Sequence, residues 1–111
     1  MNKVIINGRL TQDMEVKTNK KGTLIGSFSI ANNVRRGEVE KVNFIKCYMF
    51  GDNVINALEE YLVKGCQVLV EGELQLDKVE DKTFTSLLIK RIEIEKFVDK
   101  EQPKNKSYKR R

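Results

Sequence analysis

The chain has no histidine and no tryptophan, and only one proline and two cysteines among its 111 residues. Without histidine, the most common general base and a frequent metal ligand are both missing. Cys47 and Cys66 lack the short spacing of a zinc or redox pair. We therefore expect no catalytic site, no metal and no cofactor, and we interpret the two cysteines as reduced core residues.

Long apolar runs are also missing. No segment approaches the roughly 20 apolar residues that span a bilayer. The first residues, MNKVIINGRL, contain neither a long apolar stretch nor a small-residue cleavage site. We expect no membrane association and a cytoplasmic location. Because 40% of the residues are hydrophobic and proline is nearly absent, the composition predicts a folded domain.

The net charge of +5 is unevenly distributed. Residues 98–111 hold six Lys or Arg and two acids and show no periodicity, which predicts a basic flexible tail after a domain that spans 1–97. The remaining body carries fifteen basic and fourteen acidic side chains, so an anion site on it has to be local. A basic tail of this kind fits a solubilising role and contact with an anionic partner such as nucleic acid equally well.

Apolar periodicity predicts five strands and one helix. Asp52 is expected to cap the helix and Gly65 to end it, while RRGE at 35–38 is interpreted as a hairpin tip. The fifth strand has an irregular pattern that indicates a bulge. This order predicts an all-β protein with one helix, a five-stranded OB-fold Greek-key barrel with the helix between strands three and four. The strands are expected at 3–10, 23–34, 42–50, 67–76 and 83–97, and the helix at 52–65.

The segment FIKCYMF, 44–50, places three of the chain's eight aromatic residues on one face of the third strand. By alternation, that face carries Phe44, Lys46, Tyr48 and Phe50, and the residues between them face the core. An aromatic face of this kind suits either a subunit interface or a platform for stacked bases. The lysine within it favours the platform, because it can meet the phosphate backbone beside the bases.

Basic side chains are expected around the same face, and the small Ser27 and Ser29 of the second strand leave it open. Because bases in a duplex are already stacked on each other, an aromatic platform flanked by cations prefers single strands. The sequence therefore predicts a nucleic-acid site formed by Lys3, Arg9, Lys17, Lys20, Lys21, Arg35, Arg36, Phe44, Lys46, Tyr48, Phe50 and Lys78.

Three runs carry a family resemblance: MNKVIINGRLTQDMEV at 1–16, GSFSIANNVRR at 26–36, and NFIKCYMFGDNVINALEEYLVKGCQVLVEGEL at 43–74. As a set they resemble the bacterial and phage single-stranded DNA-binding proteins, over about residues 1–95. The resemblance implies binding of single-stranded DNA without strong sequence preference during DNA replication, recombination and repair, by a homotetramer. It also places Phe44 and Phe50 at stacking positions and Lys46 at a basic or polar contact.

The sequence departs from that family in two places. Arg36 and Val79 stand near the positions where some members have a stacking tryptophan. We therefore expect base stacking to contribute less to binding here, and charge to contribute more. The chain ends in KNKSYKRR where the family has an acidic tip that recruits partner enzymes. If residue 111 is the natural end, we expect no tip-mediated recruitment of replication or recombination proteins, and a phage-type member fits.

Two other functions fit the same residues. One is an OB-fold RNA-binding or primosome accessory protein, for which a dimer would replace the tetramer. The other is an oligomeric interaction module that uses the aromatic face to bind another subunit.

Overall fold

The computed structural model describes residues 1–98, so the predicted basic tail lies outside the described residues except for Val98. The described part contains six strands and one helix. They are β1 (Val4–Leu10), β2 (Glu15–Thr18), β3 (Leu24–Arg36), β4 (Val39–Phe50), α1 (Asp52–Leu58), β5 (Gln67–Val79) and β6 (Lys82–Lys96).

The strands form one sheet in the order β1-β5-β6-β4-β3-β2, and an additional pairing of β1 with β3 closes it into a barrel. β4 and β6 run parallel where Tyr48 meets Leu88, and the other neighbours are antiparallel. This confirms the predicted five-stranded barrel with a helix between its third and fourth strands. The short β2, which the sequence pattern did not predict as a strand, lengthens the sheet beside β3.

Two glycines allow the strands to approach each other at the bends of the barrel. A Cβ atom on Gly8 would lie 2.6 Å from the carbonyl oxygen of Ala31, where β1 passes from β5 to β3. A Cβ atom on Gly72 would overlap the carbonyl of Leu88. The β5–β6 register shifts beside Gly72 and leaves Lys90 of β6 without a partner, which confirms the bulge predicted in this strand.

Alternate residues of the strands fill the barrel with apolar side chains, among them Phe28, Ile30, Val68, Val70 and Leu87. Both cysteines are free and buried, as predicted. Burial raises the pKa of the Cys47 thiol from 9.0 to about 12, because a thiolate loses its hydration inside the barrel. Within residues 1–98, no helix has the length and apolar character needed to cross a membrane.

The helix differs from the prediction at both ends. Gly51 occupies the N-cap, and the Asp52 carboxylate instead accepts a hydrogen bond of 2.9 Å from the backbone N–H of Leu24 in β3. The helix ends at Leu58, seven residues before Gly65. The early end has a tertiary cause: the N–H of Gly65 donates to the Leu10 carbonyl and the N–H of Leu10 donates to the Cys66 carbonyl, each at 2.9 Å.

Both long hairpins extend further than the sequence pattern indicated. The β3–β4 hairpin turns at 37–38, with Gly37 at φ +64°, and the β5–β6 hairpin turns at 80–81, with Glu80 at φ +58°. We call the outer part of the second hairpin, residues 75–86, the β5–β6 arm. The arm projects beyond the core, and the side chain of Leu76 within it is 63% exposed.

Candidate nucleic-acid interface

The outer face of β4 carries the predicted row, and we call Phe44, Lys46, Tyr48 and Phe50 the aromatic row. Phe44 is 71% exposed and Phe50 is 47% exposed, while Lys46 is exposed and Tyr48 is half-buried. Between them, Cys47 and Met49 are buried, and Ile45 packs against the core. The alternation predicted from the sequence is therefore confirmed.

Tyr48 contacts a neighbour within the row. Its ring centroid lies 5.7 Å from that of Phe50, and the ring planes meet at 87°. This edge-to-face arrangement is a favourable geometry for an aromatic pair. The half-buried Tyr48 therefore packs against Phe50, which is still 47% exposed.

The neighbouring β3 forms a low floor beside the row. Its outward residues Ile25, Ser27, Ser29 and Ala31 stand in register with Phe50, Tyr48, Lys46 and Phe44, respectively. The two serines and the alanine have short side chains, so the longer side chains of β4 project above them. The result is an open, shallow surface along one side of the aromatic row.

A cation flanks each end of this surface. Lys17 of β2 pairs with Ile25, which pairs with Phe50. Arg9 of β1 pairs with Ala31, which pairs with Phe44. Since paired residues share a face of the sheet, Lys17, Lys46 and Arg9 border or interrupt the aromatic row on its own side.

The lysines of the first turn remain exposed near Lys17. The Asn19 side-chain oxygen accepts hydrogen bonds of 2.9 Å from the N–H groups of Lys21 and Thr23. This local bonding, together with Gly22 at φ +86°, shapes the turn that presents Lys20 and Lys21 to solvent. In an OB-fold, this turn is one of the two loops that flank the binding face.

The two arginines predicted in a hairpin tip instead lie in β3 and point to opposite faces. Arg35 pairs with Glu40 on the side of the aromatic row, with a carboxylate directly opposite. Arg36 pairs with Val39 and lines the other side of the hairpin together with Lys41. The sequence prediction treated them as one cluster because it placed them in a loop, where the strand alternation does not apply.

Lys3 and Lys78 are not brought to the aromatic row. Lys3 precedes β1 at the end opposite Arg9, and its Nζ lies 3.4 Å from the Glu71 carboxylate. Lys78 pairs with Thr83, and both lie on the face of the β5–β6 arm that is opposite to the side of the aromatic row. Both stay predictions as nucleic-acid contacts.

The sequence reasoning missed an aromatic residue and a lysine on the β5–β6 arm. Leu88 pairs with Tyr48 and lies on the same face of the sheet. Because alternate residues of a strand share a face, Ser86, Phe84 and Lys82 of β6 also lie on that face. Phe84 is 54% exposed and stands opposite Asp77. The alternation in KTFTSLL, 82–88, is the signal that could have identified them.

The acidic side chains near this surface are dispersed. Glu15 pairs with Ser27 and thus lies in line with Tyr48, while Glu40 and Asp77 oppose Arg35 and Phe84. Within the described range 1–98, no cluster of His, Cys, Asp and Glu residues could hold a metal ion. The arrangement is suited to binding through aromatic faces and cations.

Comparison with known proteins matches residues 1–107 to the model of the single-strand binding protein family. A single-stranded DNA-binding protein of Treponema pallidum is 40% identical over 86 residues, covering 74% of this chain and 48% of that protein. One from Borreliella burgdorferi is 32% identical over 103 residues, covering 89% and 66%. The chain thus spans about half to two thirds of the length of these relatives.

The fold also has a counterpart among solved structures. A Plasmodium falciparum SSB, solved in complex with ssDNA, superposes with a TM-score of 0.74 and 24% sequence identity. The match covers 89% of this chain and 96% of the Plasmodium chain. At that identity, the similarity supports the barrel architecture.

Proposed function

The chain belongs to the single-strand binding protein family, and we propose that it binds single-stranded DNA without strong sequence preference and without catalysing a reaction. The observation that carries the proposal is the aromatic row, which exposes Phe44 and Phe50 on either side of Lys46. The row lies on the face of an OB barrel that commonly binds oligonucleotides.

The chemistry of this face accounts for a weak dependence on sequence. Every base has a π-face, and stacking on an aromatic side chain contributes about 1–3 kcal/mol per base. Lys17 and Lys46 would meet the backbone phosphates between and beside the stacked bases. Phosphate contacts release counterions, so the affinity should fall as salt rises.

The wider biological role is part of the same proposal. We infer protection of single strands during DNA replication, recombination and repair, in the cytoplasm of a bacterial cell or a phage-infected host. The binding domain would span 1–97, and the active form would be a homotetramer. Family membership and the similar proteins from Treponema and Borreliella support this role.

Titration with oligo-dT, the matching duplex and oligo-U at several salt concentrations tests the proposal. We expect oligo-dT to bind more tightly than the duplex, with a negative slope of log affinity against log salt. Equal affinity for the duplex and oligo-dT would contradict it. Tighter binding of oligo-U than of oligo-dT would support the RNA-binding or primosome-type function instead.

The subunit-interface function makes a different prediction for Phe44. If the aromatic row binds another subunit, Phe44→Ala should change the sedimentation behaviour of the protein. In that case the unmodified protein should already show no affinity for nucleic acid. If the row stacks bases, the same variant should keep its assembly state and bind oligo-dT more weakly. Phe97→Ala is the matched control, because Phe97 is also exposed and contacts Tyr61 away from the row.

A further inference from the structure

One line of residues crosses four strands on the outer surface of the barrel. Gln67 of β5 pairs with Arg9 of β1, Arg9 pairs with Ala31 of β3, and Ala31 pairs with Phe44 of β4. Two strand spacings, roughly 10 Å, therefore separate the Cα atoms of Arg9 and Phe44. Between them stands only the methyl group of Ala31, which is 6% exposed.

The strand crossing makes this floor low. A Cβ atom on Gly8 would lie 2.6 Å from the Ala31 carbonyl oxygen, so the β1 backbone lies directly against β3 here. The depression beside it has a volume of about 180 Å³. Its lining is polar apart from the floor: Asn7, Gly8, Arg9, Ala31, Asn33, Gln67 and Glu95.

The polar groups of this depression are only partly paired with each other. Glu95 lies at a bulge of β6, and one of its carboxylate oxygens accepts a long bond of 3.4 Å from the Asn7 side-chain amide. The Asn33 amide donates a bond of the same length, 3.4 Å, to Glu40. Arg9 forms no ion pair among the residues that the structure describes. Donors and one carboxylate thus remain available to a ligand.

We propose that this depression binds the edge of a nucleobase stacked on Phe44, and that it favours guanine at that position. The inference rests on the proposed binding of single strands and adds a preference at one nucleotide. A base lying on the exposed Phe44 ring would extend its edge over Ala31 toward Arg9. The guanidinium fork matches the paired O6 and N7 acceptors of guanine. A carboxylate such as Glu95 can accept from the N–H groups that guanine carries on its other edge.

Arg9 thereby has a different role from the other cations of the surface. A phosphate contact would serve every sequence equally, whereas a base-edge contact distinguishes one base from another. Arginine suits the second role better than lysine, because its planar fork forms two parallel hydrogen bonds and an ammonium group does not.

The test compares oligo-dT with the same oligonucleotide carrying a single central dG, dA or dC. For the unmodified protein we expect the dG oligonucleotide to bind about fivefold more tightly than oligo-dT, the lower end of what a bidentate base contact provides. Arg9→Lys keeps the positive charge but not the planar fork, so the ratio of the dG affinity to the oligo-dT affinity should fall close to one. Arg35→Lys is the matched control and should keep that preference.

The outcomes separate the two proposals. If the unmodified protein binds all four oligonucleotides equally, or if Arg9→Lys and Arg9→Ala weaken them all by the same factor, the base-edge site is wrong and single-strand binding stands. If oligo-dT itself does not bind better than the duplex, the proposed function fails and the base-edge site fails with it. Glu95→Gln offers a second readout, because it should reduce the dG preference without reducing the charge attraction for phosphates.

Discussion

Tyr48 and Phe50 lie edge to face on the outer surface of β4, with ring centroids 5.7 Å apart and ring planes at 87°. Residues two apart on a strand share a face, so the contact follows directly from the alternation of FIKCYMF. Tyr48 therefore has a structural role within a single chain, because it packs against Phe50. Tyr48 holds Phe50 in place, while Phe50 and Phe44 present the larger exposed surfaces.

This contact predicts different effects for the two rings. Phe50→Ala should weaken oligo-dT binding by about 1–3 kcal/mol, the cost of losing one stacked base. Tyr48→Phe should be nearly neutral, because the ring and its edge-to-face contact remain. Tyr48→Ala should weaken binding through loss of the support for Phe50. Fluorescence anisotropy titrations would measure all three, and a large effect of Tyr48→Phe would show that the hydroxyl itself contacts the ligand.

The salt dependence of binding should distinguish the lysines on the surface. Lys46 lies within the aromatic row, whereas Lys3 lies 3.4 Å from the Glu71 carboxylate at the far end of β1. Lys46→Gln should therefore reduce the slope of log affinity against log salt by about 0.7, the value for one phosphate contact on a single strand. Lys3→Gln removes the same charge and should reduce the slope by less, because the Glu71 carboxylate 3.4 Å from the Lys3 Nζ already offsets part of that charge.

Equal slope changes in the two variants would contradict this distinction. That result would mean that the lysines act through the net charge of the domain, and not through contacts at the aromatic row. Measuring each slope over at least a threefold range of salt would separate the two outcomes.

Phe84 on the β5–β6 arm is predicted to contact long single strands in addition to the aromatic row. The side chain is 54% exposed and shares the outward side of Tyr48 through the Tyr48–Leu88 pairing. Phe84→Ala should weaken binding of long oligo-dT more than of short oligo-dT, because a short strand can occupy the aromatic row alone. Leu76→Ala is the matched control, since Leu76 is also exposed but alternates to the opposite face of the arm. Equal losses for both oligonucleotide lengths would place Phe84 within the main site.

The sequence predicted those features that depend on local pattern. The alternation around Cys47 identified the buried and exposed faces of β4, because an apolar core on one side forces the period of two. The predicted barrel followed from the order of the elements. The family resemblance separately identified Phe44 and Phe50.

Features that depend on long-range pairing were missed. The helix ends at Leu58 because the chain must reach Leu10, a contact that no local pattern reveals. Arg35 and Arg36 were expected together in a hairpin loop. The turn begins only at Gly37, so both arginines belong to β3 and, as consecutive strand residues, point to opposite faces. Phe84 was overlooked because the bulge at Lys90 disturbs the apolar pattern of its strand.

Cys47 provides a test of the barrel interior directly beneath the aromatic row. Burial raises the pKa of its thiol from 9.0 to about 12, so the folded state holds the protonated form while the unfolded chain ionises at lower pH. The stability that depends on the protonated thiol is therefore fully present below pH 9.0 and is lost as the pH rises toward 12. The melting temperature of the unmodified protein should thus fall more steeply above this pH than that of Cys47→Val. Subtracting the two curves removes the titration of lysines and tyrosines that they share.

The same burial predicts the reactivity of the thiol. At about pH 8, alkylation of Cys47 in the folded protein should be far slower than in a denaturant, because the thiolate is the reactive species and the side chain is inaccessible. Peptide mass mapping distinguishes Cys47 from Cys66, which is also buried and also has a raised pKa. Rapid modification of Cys47 under folding conditions would show that β4 separates from the barrel, in which case the aromatic row would not be held as a fixed surface.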